Sequence, residues 1–218
     1  MVTYNGTNGP DTLIDYNHSS FSYINFSLVT INGFGGDDII SGQDIFTFYN
    51  IFGGAGNDLI VGGLNNDVLI GDDLFGGVLG NDYLAGSDGD DALYGGAGND
   101  KLIGDAGTDK LIGGAGNDVF LFYSVSDSQP GLSRDIIKDF VGNGNLPGDR
   151  IDISNIDANT TIKGDQAFTY IGTRAFTAAG QIRYSGGILQ GNTDSNLAAN
   201  FEIKLEGSLL LVASDIIV

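Results

Sequence analysis

The sequence contains no cysteine, no tryptophan, three prolines and a single histidine, His18. Without cysteine the chain has neither a disulfide framework nor a reactive thiol, so its stability must come from another source. One histidine cannot supply the His-Glu-x-x-His signature of a zinc protease. His18 lies among asparagine and serine residues that are typical of a surface loop. We therefore predict that the chain is not an enzyme.

Positive charge and long hydrophobic runs are also scarce. The chain has 9 basic against 28 acidic residues, a net charge of -19, and no lysine or arginine between residues 1 and 100. Such a balance excludes nucleic acid and anionic membranes as partners. No stretch approaches the roughly 18 apolar residues of a membrane span, and the first 30 residues lack a Sec-type signal sequence. If the chain is exported, we expect a Sec-independent route.

The acidic residues are almost all of one type, since only Glu202 and Glu206 among the 28 are glutamates. A surface selected for solubility would use both acids. A carboxylate that binds an ion held by its own tight turn needs the shorter side chain. The 36 glycines point in the same direction, because tight turns are where glycine is needed.

The aspartates recur with a period of nine residues. They occupy position six of the repeat Gly-Gly-x-Gly-x-Asp-x-apolar-x, whose nine positions we number one to nine. The clearest copies are residues 53–61, 95–103 and 113–121, and position six is held by Asp82, Asp91, Asp100, Asp109 and Asp118 at regular spacing. Each copy predicts a glycine turn followed by a very short strand.

Glycines at positions one, two and four let backbone carbonyl oxygens turn toward one point, and the aspartate adds a carboxylate. Calcium takes six to eight oxygens, so two stacked loops must share each ion. If nine residues make half a turn, Asp82, Asp100 and Asp118 form one column, and Asp91 and Asp109 form the other. The predicted metal-binding residues are Asp38, Gly53, Gly54, Gly56, Asp58, Gly63, Asp67, Asp82, Gly89, Asp91, Gly96, Gly98, Asp100, Gly107, Asp109, Gly114, Gly116 and Asp118.

The apolar residues at position eight should point between two parallel sheets: Ile60, Leu69, Leu84, Leu93, Leu102, Leu111 and Phe120. One buried side chain per nine residues does not offset the conformational entropy of ordering those residues. Bound calcium is therefore expected to complete the stability, and the calcium-free chain is expected to be unfolded. The alternative is a calcium-free β-solenoid that uses glycine and aspartate only as turn residues.

Three irregular regions interrupt the pattern. Asn65 replaces the glycine at position four, and the segment 72–80 lengthens one spacing to fifteen residues, so sites at these loops should be weaker or missing. Residues 6–11 and 33–38 look like degenerate copies. Between and after them lie Tyr16, Phe21, Tyr23, Phe26, Phe46, Phe48, Tyr49 and Phe52. These aromatic residues form either an end cap or filled interior of the solenoid, or a surface that binds a glycan or another partner.

The nonapeptide copies resemble the RTX (hemolysin-type) calcium-binding repeat. After them come the stretches 118–122, 126–128, 135–140 and 149–154, then 165–184 and 201–205. Their order resembles the C-terminal domain of serralysin-type secreted metalloproteases. The resemblance implies that Asp127 and Asp135 complete a calcium site beyond the last repeat. It also implies that the acidic and apolar residues 215–218 are read by a type I secretion exporter.

We therefore predict an all-β fold, a right-handed parallel β-roll with a C-terminal β-rich cap. The expected division is residues 1–52 for degenerate and aromatic rungs, 53–121 for the calcium-binding roll and 122–218 for the cap. The expected function is that of a non-catalytic, extracellular calcium-binding module, folded by several calcium ions and exported through its C-terminus. One alternative is a polysaccharide- or surface-binding module, because β-roll modules also accompany alginate epimerases. Another is the C-terminal domain of a larger secreted enzyme such as a metalloprotease.

Overall fold

The structure, a computed structural model, describes residues 2–15, 27–43, 47–72, 79–142, 148–207 and 210–218. Within these ranges the chain forms nineteen β-strands, two 3-10 helices at Gly131–Ser133 and Ala213–Asp215, and no α-helix. The strands are β1 Val2–Asn5, β2 Thr12–Asp15, β3 Ser27–Gly35, β4 Ile39–Gly42, β5 Thr47–Ala55, β6 Leu59–Val61, β7 Val68–Asp72, β8 Tyr83–Asp88, β9 Ala92–Gly98, β10 Lys101–Ala106, β11 Lys110–Gly116, β12 Val119–Leu121, β13 Asp135–Ile137, β14 Arg150–Asp152, β15 Thr169–Tyr170, β16 Gln181–Ser185, β17 Ile188–Asn192, β18 Phe201–Leu205 and β19 Ile216–Ile217.

The strands alternate between two sheets along the chain. Among the described residues, one sheet has eleven strands in the order β1-β3-β5-β7-β9-β11-β13-β18-β17-β16-β15. The other has eight, in the order β19-β14-β12-β10-β8-β6-β4-β2. Neighbours from β1 to β13 and throughout the second sheet pair in parallel. The predicted parallel β-roll is therefore confirmed.

The strand register follows from the nine-residue period. Leu84 pairs with Leu102, and Leu102 with Phe120, each eighteen residues further along the chain. On the other sheet Leu93 pairs with Leu111 in the same way. All seven predicted position-eight residues are completely buried. They form a single apolar layer between the sheets, which confirms the prediction that nine residues make half a turn.

The fifteen-residue spacing does not change the pairing of the strands that flank it. Asp58 and Asp82 still precede paired strands, since Leu59 aligns with Tyr83. Strand β7 ends at Asp72, and the chain rejoins the regular pattern at Gly80. Residues 73–78 lie outside the described residues, and the strands on both sides of them keep the register of the roll.

Parallel pairing continues past the last repeat. Strand β13 pairs with β11, and β14 pairs with β12, although neither belongs to a glycine-rich copy. Strand β18 then adds to β13, and β17 and β16 follow it as an antiparallel hairpin. The hydroxyl of Ser128 joins the two parts, because it accepts the backbone N–H of Asp135 and donates to the carbonyl of Glu202. The domain boundaries stated above stay a prediction.

The aromatic stretch lies only partly within the described residues. Tyr49 is buried in the core, whereas Phe48 and Phe52 are half-buried. His18 and the predicted aromatic residues Tyr16, Phe21, Tyr23, Phe26 and Phe46 lie outside the described residues. A glycan-binding role for this stretch stays a prediction.

Within the described ranges, the chain forms no helix with the length and hydrophobicity required to cross a membrane.

Candidate metal centre

The loops that join the two sheets stack along two opposite edges of the roll. We call edge A the column of loops that end at Asp38, Asp58, Asp82, Asp100 and Asp118. We call edge B the column of loops that end at Asp67, Asp91 and Asp109, followed by Asp135. This arrangement confirms the two columns expected from the nine-residue period.

One carboxylate oxygen of each edge A aspartate binds the neighbouring loop. The backbone N–H of Asp82 donates to Oδ1 of Asp100 over 2.8 Å, and the N–H of Asp100 donates to Oδ1 of Asp118 over 2.9 Å. The same bond recurs from Asp11 to Asp38, Asp38 to Asp58, Asp58 to Asp82 and Asp118 to Asp149, at 2.7 to 2.9 Å. These bonds form a continuous ladder along the edge.

Edge B carries an equivalent ladder. The N–H groups of Tyr49, Asp67, Asp91 and Asp109 donate to Oδ1 of Asp67, Asp91, Asp109 and Asp135 over 2.7 to 2.8 Å. In both ladders the donor comes earlier in the chain than its acceptor, and the first edge B donor, Tyr49, lies in strand β5. Each aspartate therefore fastens its own loop to the preceding one.

The second carboxylate oxygen has a different environment. Among the described residues it finds no hydrogen-bond partner in eight of the predicted metal ligands: Asp38, Asp58, Asp82, Asp91, Asp100, Asp109, Asp118 and Asp135. All eight side chains are at least 98% buried. A buried carboxylate oxygen without a partner carries a large desolvation cost. The regular recurrence of such oxygens fits loops that bind a cation, at each of these eight aspartates.

The glycines at position one create the space in front of these oxygens. A side chain on Gly95 would overlap Oδ2 of Asp100, and its Cβ would lie 2.6 Å from the carbonyl oxygen of Gly113 in the next loop. The same convergence of a carboxylate and a carbonyl oxygen occurs at Gly53, where Oδ2 of Asp58 and the carbonyl of Gly71 meet. Glycine is required here because of this close approach of oxygen atoms.

The glycines at position four serve a second purpose. Gly98 and Gly116 have φ values of 150° and 148°, in a region that favours glycine. Any side chain on Gly116 would overlap the carbonyl oxygen of Gly98, one loop earlier. The predicted residues Gly56, Gly89 and Gly107 have positive φ values of 131°, 130° and 159°, and the position-two residues Gly54, Gly96 and Gly114 have values of 110°, 116° and 98°.

Burial raises the pKa of the ladder carboxyls, and the neighbouring aspartates add to the effect. The pKa rises to about 8 for Asp82 and Asp91, and to about 9 for Asp135. It rises to about 7 for Asp109 and Asp118, and to about 6 for Asp58, Asp67 and Asp100. Without a cation, burial therefore favours the neutral, protonated form of these carboxyls over the charged form.

The oxygen set fits calcium. Calcium prefers carboxylate and carbonyl oxygens, and every ladder loop except the one at Asp67 supplies one carboxylate oxygen without a partner among the described residues, close to backbone carbonyls. In the part of the chain that the structure describes, no three acidic, histidine or cysteine side chains gather as a metal-binding group. The backbone must therefore contribute most of the ligands, which explains why the glycine positions are as strict as the aspartate position.

Two predicted ligands differ from the rest. Oδ2 of Asp67 accepts the backbone N–H of Gly63 over 2.6 Å, so both of its carboxylate oxygens are already hydrogen-bonded. Oδ2 of Asp127 accepts the N–H groups of Tyr123 and Ser124 over 2.8 and 2.9 Å. Asp127 is thus buried at a turn beside the end of edge B. A direct role for either residue in metal binding stays a prediction.

Several contributing residues were not predicted from the sequence. Asp149 closes the edge A ladder, and its Oδ2 accepts the N–H of Val141, so it anchors the last loop. The remaining position-one glycines also belong to the site: Gly33, Gly62, Gly71, Gly86, Gly104 and Gly113. The nine-residue spacing could have identified most of these glycines. Asp149 lies 31 residues after Asp118 and carries no periodic signal.

Asp100→Asn is expected to weaken calcium binding about tenfold or more, whereas Asp67→Asn changes it about threefold or less. Asparagine at position 100 keeps the oxygen that accepts the Asp82 N–H but replaces the unpartnered carboxylate oxygen. At position 67 that oxygen is already used by Gly63. Calorimetric titration of both variants with calcium tests this difference. Equal losses of affinity would contradict the assignment of the free oxygens as ligands.

Part of this chain is similar to a known family of repeats. The family model described as the RTX calcium-binding nonapeptide repeat (4 copies) matches residues 29–44, 50–73, 76–111 and 86–120. Similar solved structures include the AlgE6R2 subunit of the mannuronan C5-epimerase from Azotobacter vinelandii, 28% identical, with 72% of this chain and 89% of that chain covered and a TM-score of 0.49. The AlgE6R3 subunit of the same enzyme is 23% identical, with 97% and 80% covered and a TM-score of 0.30. No curated protein matches.

Proposed function

The chain carries RTX calcium-binding nonapeptide repeats that form a β-roll, and from this premise we propose that it is a non-catalytic secreted module folded by extracellular calcium. We propose further that its C-terminus directs type I secretion. The observation that carries the first part is the regular series of buried carboxylate oxygens without a partner among the described residues. Calcium is the ion that such repeats bind.

The charge of the chain supports coupling between calcium binding and folding. A net charge of -19 opposes compaction, and the ladder aspartates place like charges in neighbouring loops. A cation shared by two loops removes this repulsion and fixes both loops at once. Extracellular calcium modules typically bind with dissociation constants of about 10⁻⁴ to 10⁻³ M, so a chain of this kind stays unfolded where calcium is scarce.

The proposed export signal lies at the end of the second sheet. Strand β19 pairs in parallel with β14, where Ile216 aligns with Ile151. Asp215 is buried, and its Oδ2 accepts the N–H of Val212. The tail is therefore part of the folded structure. An exporter that recognises the tail would find it unpaired with β14 only before the chain folds.

Deletion of residues 215–218 is expected to abolish export from a host that carries a type I exporter. Secreted and cell-associated protein would be quantified by immunoblotting. Ile151→Ala is the matched control, because it weakens the docking of Ile216 and leaves the tail sequence unchanged. Export of the control with retention of the deletion variant would support a signal role. Normal secretion of the deletion variant would refute it.

A further inference from the structure

The two ladders end differently at their last acceptors. On edge A the last acceptor is Asp149, whose Oδ1 accepts the N–H of Asp118 and whose Oδ2 accepts the N–H of Val141. On edge B it is Asp135, whose Oδ1 accepts the N–H of Asp109 over 2.8 Å. Oδ2 of Asp135 has no hydrogen-bond partner among the described residues, although the residue is completely buried. Backbone amides therefore satisfy the end of edge A, whereas the end of edge B leaves one buried oxygen available to a cation.

Asp135 is also the first residue of the strand on which the end of the chain is built. Strand β13 pairs in parallel with β18, where Asp135 aligns with Ile203. Strands β17 and β16 extend the same sheet by antiparallel pairing. We call β16, β17 and β18 the C-terminal strands. Their place on the roll therefore depends on the position of β13.

Ser128 links Asp135 to the C-terminal strands through hydrogen bonds. Its hydroxyl accepts the N–H of Asp135 over 2.8 Å and donates to the carbonyl of Glu202 in β18. The carbonyl of Ser128 in turn accepts the N–H of Glu202 over 3.0 Å. Ser128 is 1% exposed, so water does not compete for these bonds. One hydroxyl that accepts from Asp135 and donates to Glu202 fixes the position of each relative to the other.

The side chain of Glu202 binds the same loop at two further points. Its Oε2 accepts the N–H of Gly131 over 3.1 Å and pairs with Arg134 over 2.8 Å. Its Oε1 accepts the side-chain amide of Gln190 over 2.6 Å, and Gln190 accepts the Nε–H of Arg183 over 2.7 Å. A continuous series of polar contacts therefore runs from the loop before β13 across β18, β17 and β16.

We infer that a calcium ion bound at Asp135 holds the C-terminal strands on the roll, and that Ser128 is the positioning residue that transmits its effect. Without a cation, the buried oxygen of Asp135 costs free energy, and the like charge of the Asp109 loop lies next to it. A shift of Asp135 relieves both costs but breaks its bond to Ser128 and the pairing of β13 with β18. The inference rests on the proposed calcium binding and assigns one ion to strands outside the repeats.

Asp135→Asn tests the role of the ion, with Asp82→Asn as its matched control. Each variant keeps the oxygen that accepts a ladder amide and replaces the unpartnered one, but Asp82 lies on edge A, in the middle of the roll. Hydrogen-exchange mass spectrometry of the full-length proteins in saturating calcium measures the protection of residues 181–205. Exchange there is expected to be about tenfold faster or more in Asp135→Asn and to change less than about twofold in Asp82→Asn. Equal protection in the two variants would overturn the inference.

Ser128→Ala tests the transmission, because it removes the hydroxyl and leaves every carboxylate in place. Ser133→Ala is its control, since it makes the same change at an exposed position of the same loop. Ser128→Ala should speed exchange in residues 181–205 about tenfold, and Ser128→Thr, which keeps a hydroxyl, should restore the protection. If Asp135→Asn does not fold in saturating calcium, these variants decide the outcome.

Calcium affinity separates transmission from a merely structural role of Ser128. Docking and binding that are coupled must weaken each other equally, so Ser128→Ala should lower the affinity of one calcium step about threefold or more. Added to Asp135→Asn, it should lower the affinity no further. Calorimetric titration in competition with a chelator measures both effects. Faster exchange with unchanged calcium affinity would show that Ser128 only supports the fold, which would overturn its assigned role.

The proposed function and this inference fail in different ways. If the wild-type chain binds no calcium, the proposed function is wrong, and with it the inference. If the wild-type chain binds and folds with calcium but Asp135→Asn and Ser128→Ala keep the protection of the C-terminal strands, only the inference is wrong. Circular dichroism in saturating calcium supplies the independent check that each variant is folded.

Discussion

In the presence of a chelator at pH 7, the chain is expected to give the far-UV circular dichroism spectrum of an unfolded polypeptide, and calcium should convert it cooperatively into a β-sheet spectrum. Eight buried carboxylates have an oxygen without a partner among the described residues, and each costs free energy in the absence of a cation. The single apolar layer between the sheets is too thin to offset these costs together with the conformational entropy.

The transition should be centred at about 10⁻⁴ to 10⁻³ M calcium, the range of extracellular modules. Magnesium at the same ionic strength is the control, because its preference for a compact octahedral shell and bound water suits this carbonyl-rich site poorly. A β-sheet spectrum that is already complete in chelator would show that the roll is self-sufficient. In that case the calcium-free solenoid considered from the sequence would be correct.

Acidification should favour the folded state when calcium is absent. Burial raises the pKa of Asp82 and Asp91 to about 8 and that of Asp135 to about 9, whereas an aspartate in an unfolded chain titrates near 3.9. A group whose folded-state pKa is raised contributes stability that is fully present below the unfolded value and is lost as the pH rises through the folded value. The calcium-free roll should therefore gain stability from pH 8 down to about pH 4.

Calcium reverses this dependence, because protons and calcium compete for the same carboxylates. The folded fraction, followed by far-UV circular dichroism at one temperature between pH 4 and pH 8, should rise on acidification in chelator and fall on acidification at limiting calcium, so the two slopes are opposite. Asp135→Asn should flatten the slope in chelator, since the replaced group no longer titrates. Asp165→Asn, at an exposed position in the C-terminal part, should leave the slope unchanged. Parallel slopes in chelator and calcium would contradict the role of the ladder carboxyls.

Periodicity determined how much of the site could be predicted from the sequence. The spacing of Asp82, Asp100 and Asp118 by eighteen residues carries both the register of the strands and the position of each carboxylate, because every loop repeats the same local geometry. The apolar residues at position eight allowed the core to be predicted for the same reason. A structure in which every loop repeats the same geometry can be predicted from the sequence, because the geometry of one repeat applies to the next.

Contacts outside the period had no such signal. Asp149 closes the edge A ladder through a connection of 31 residues, and Asp127 turns its carboxylate to the amides of its own turn. Asp72 was assigned to an insertion because the spacing alone does not show where within the loop the extra residues lie. Only the stacking of Gly71 and Gly96 on their neighbours identifies Asp72 as the position-two residue.

The ladders give the roll a direction. Every aspartate accepts the amide of the loop before it, so removal of the most N-terminal loop leaves Asp38 with a carboxylate oxygen that water can satisfy. Substitution of the last edge A acceptor, Asp149, instead leaves the N–H of Asp118 without its acceptor. The two ends of the edge A ladder therefore differ chemically: loss of its first loop frees a carboxylate oxygen, and loss of its last acceptor frees a backbone amide.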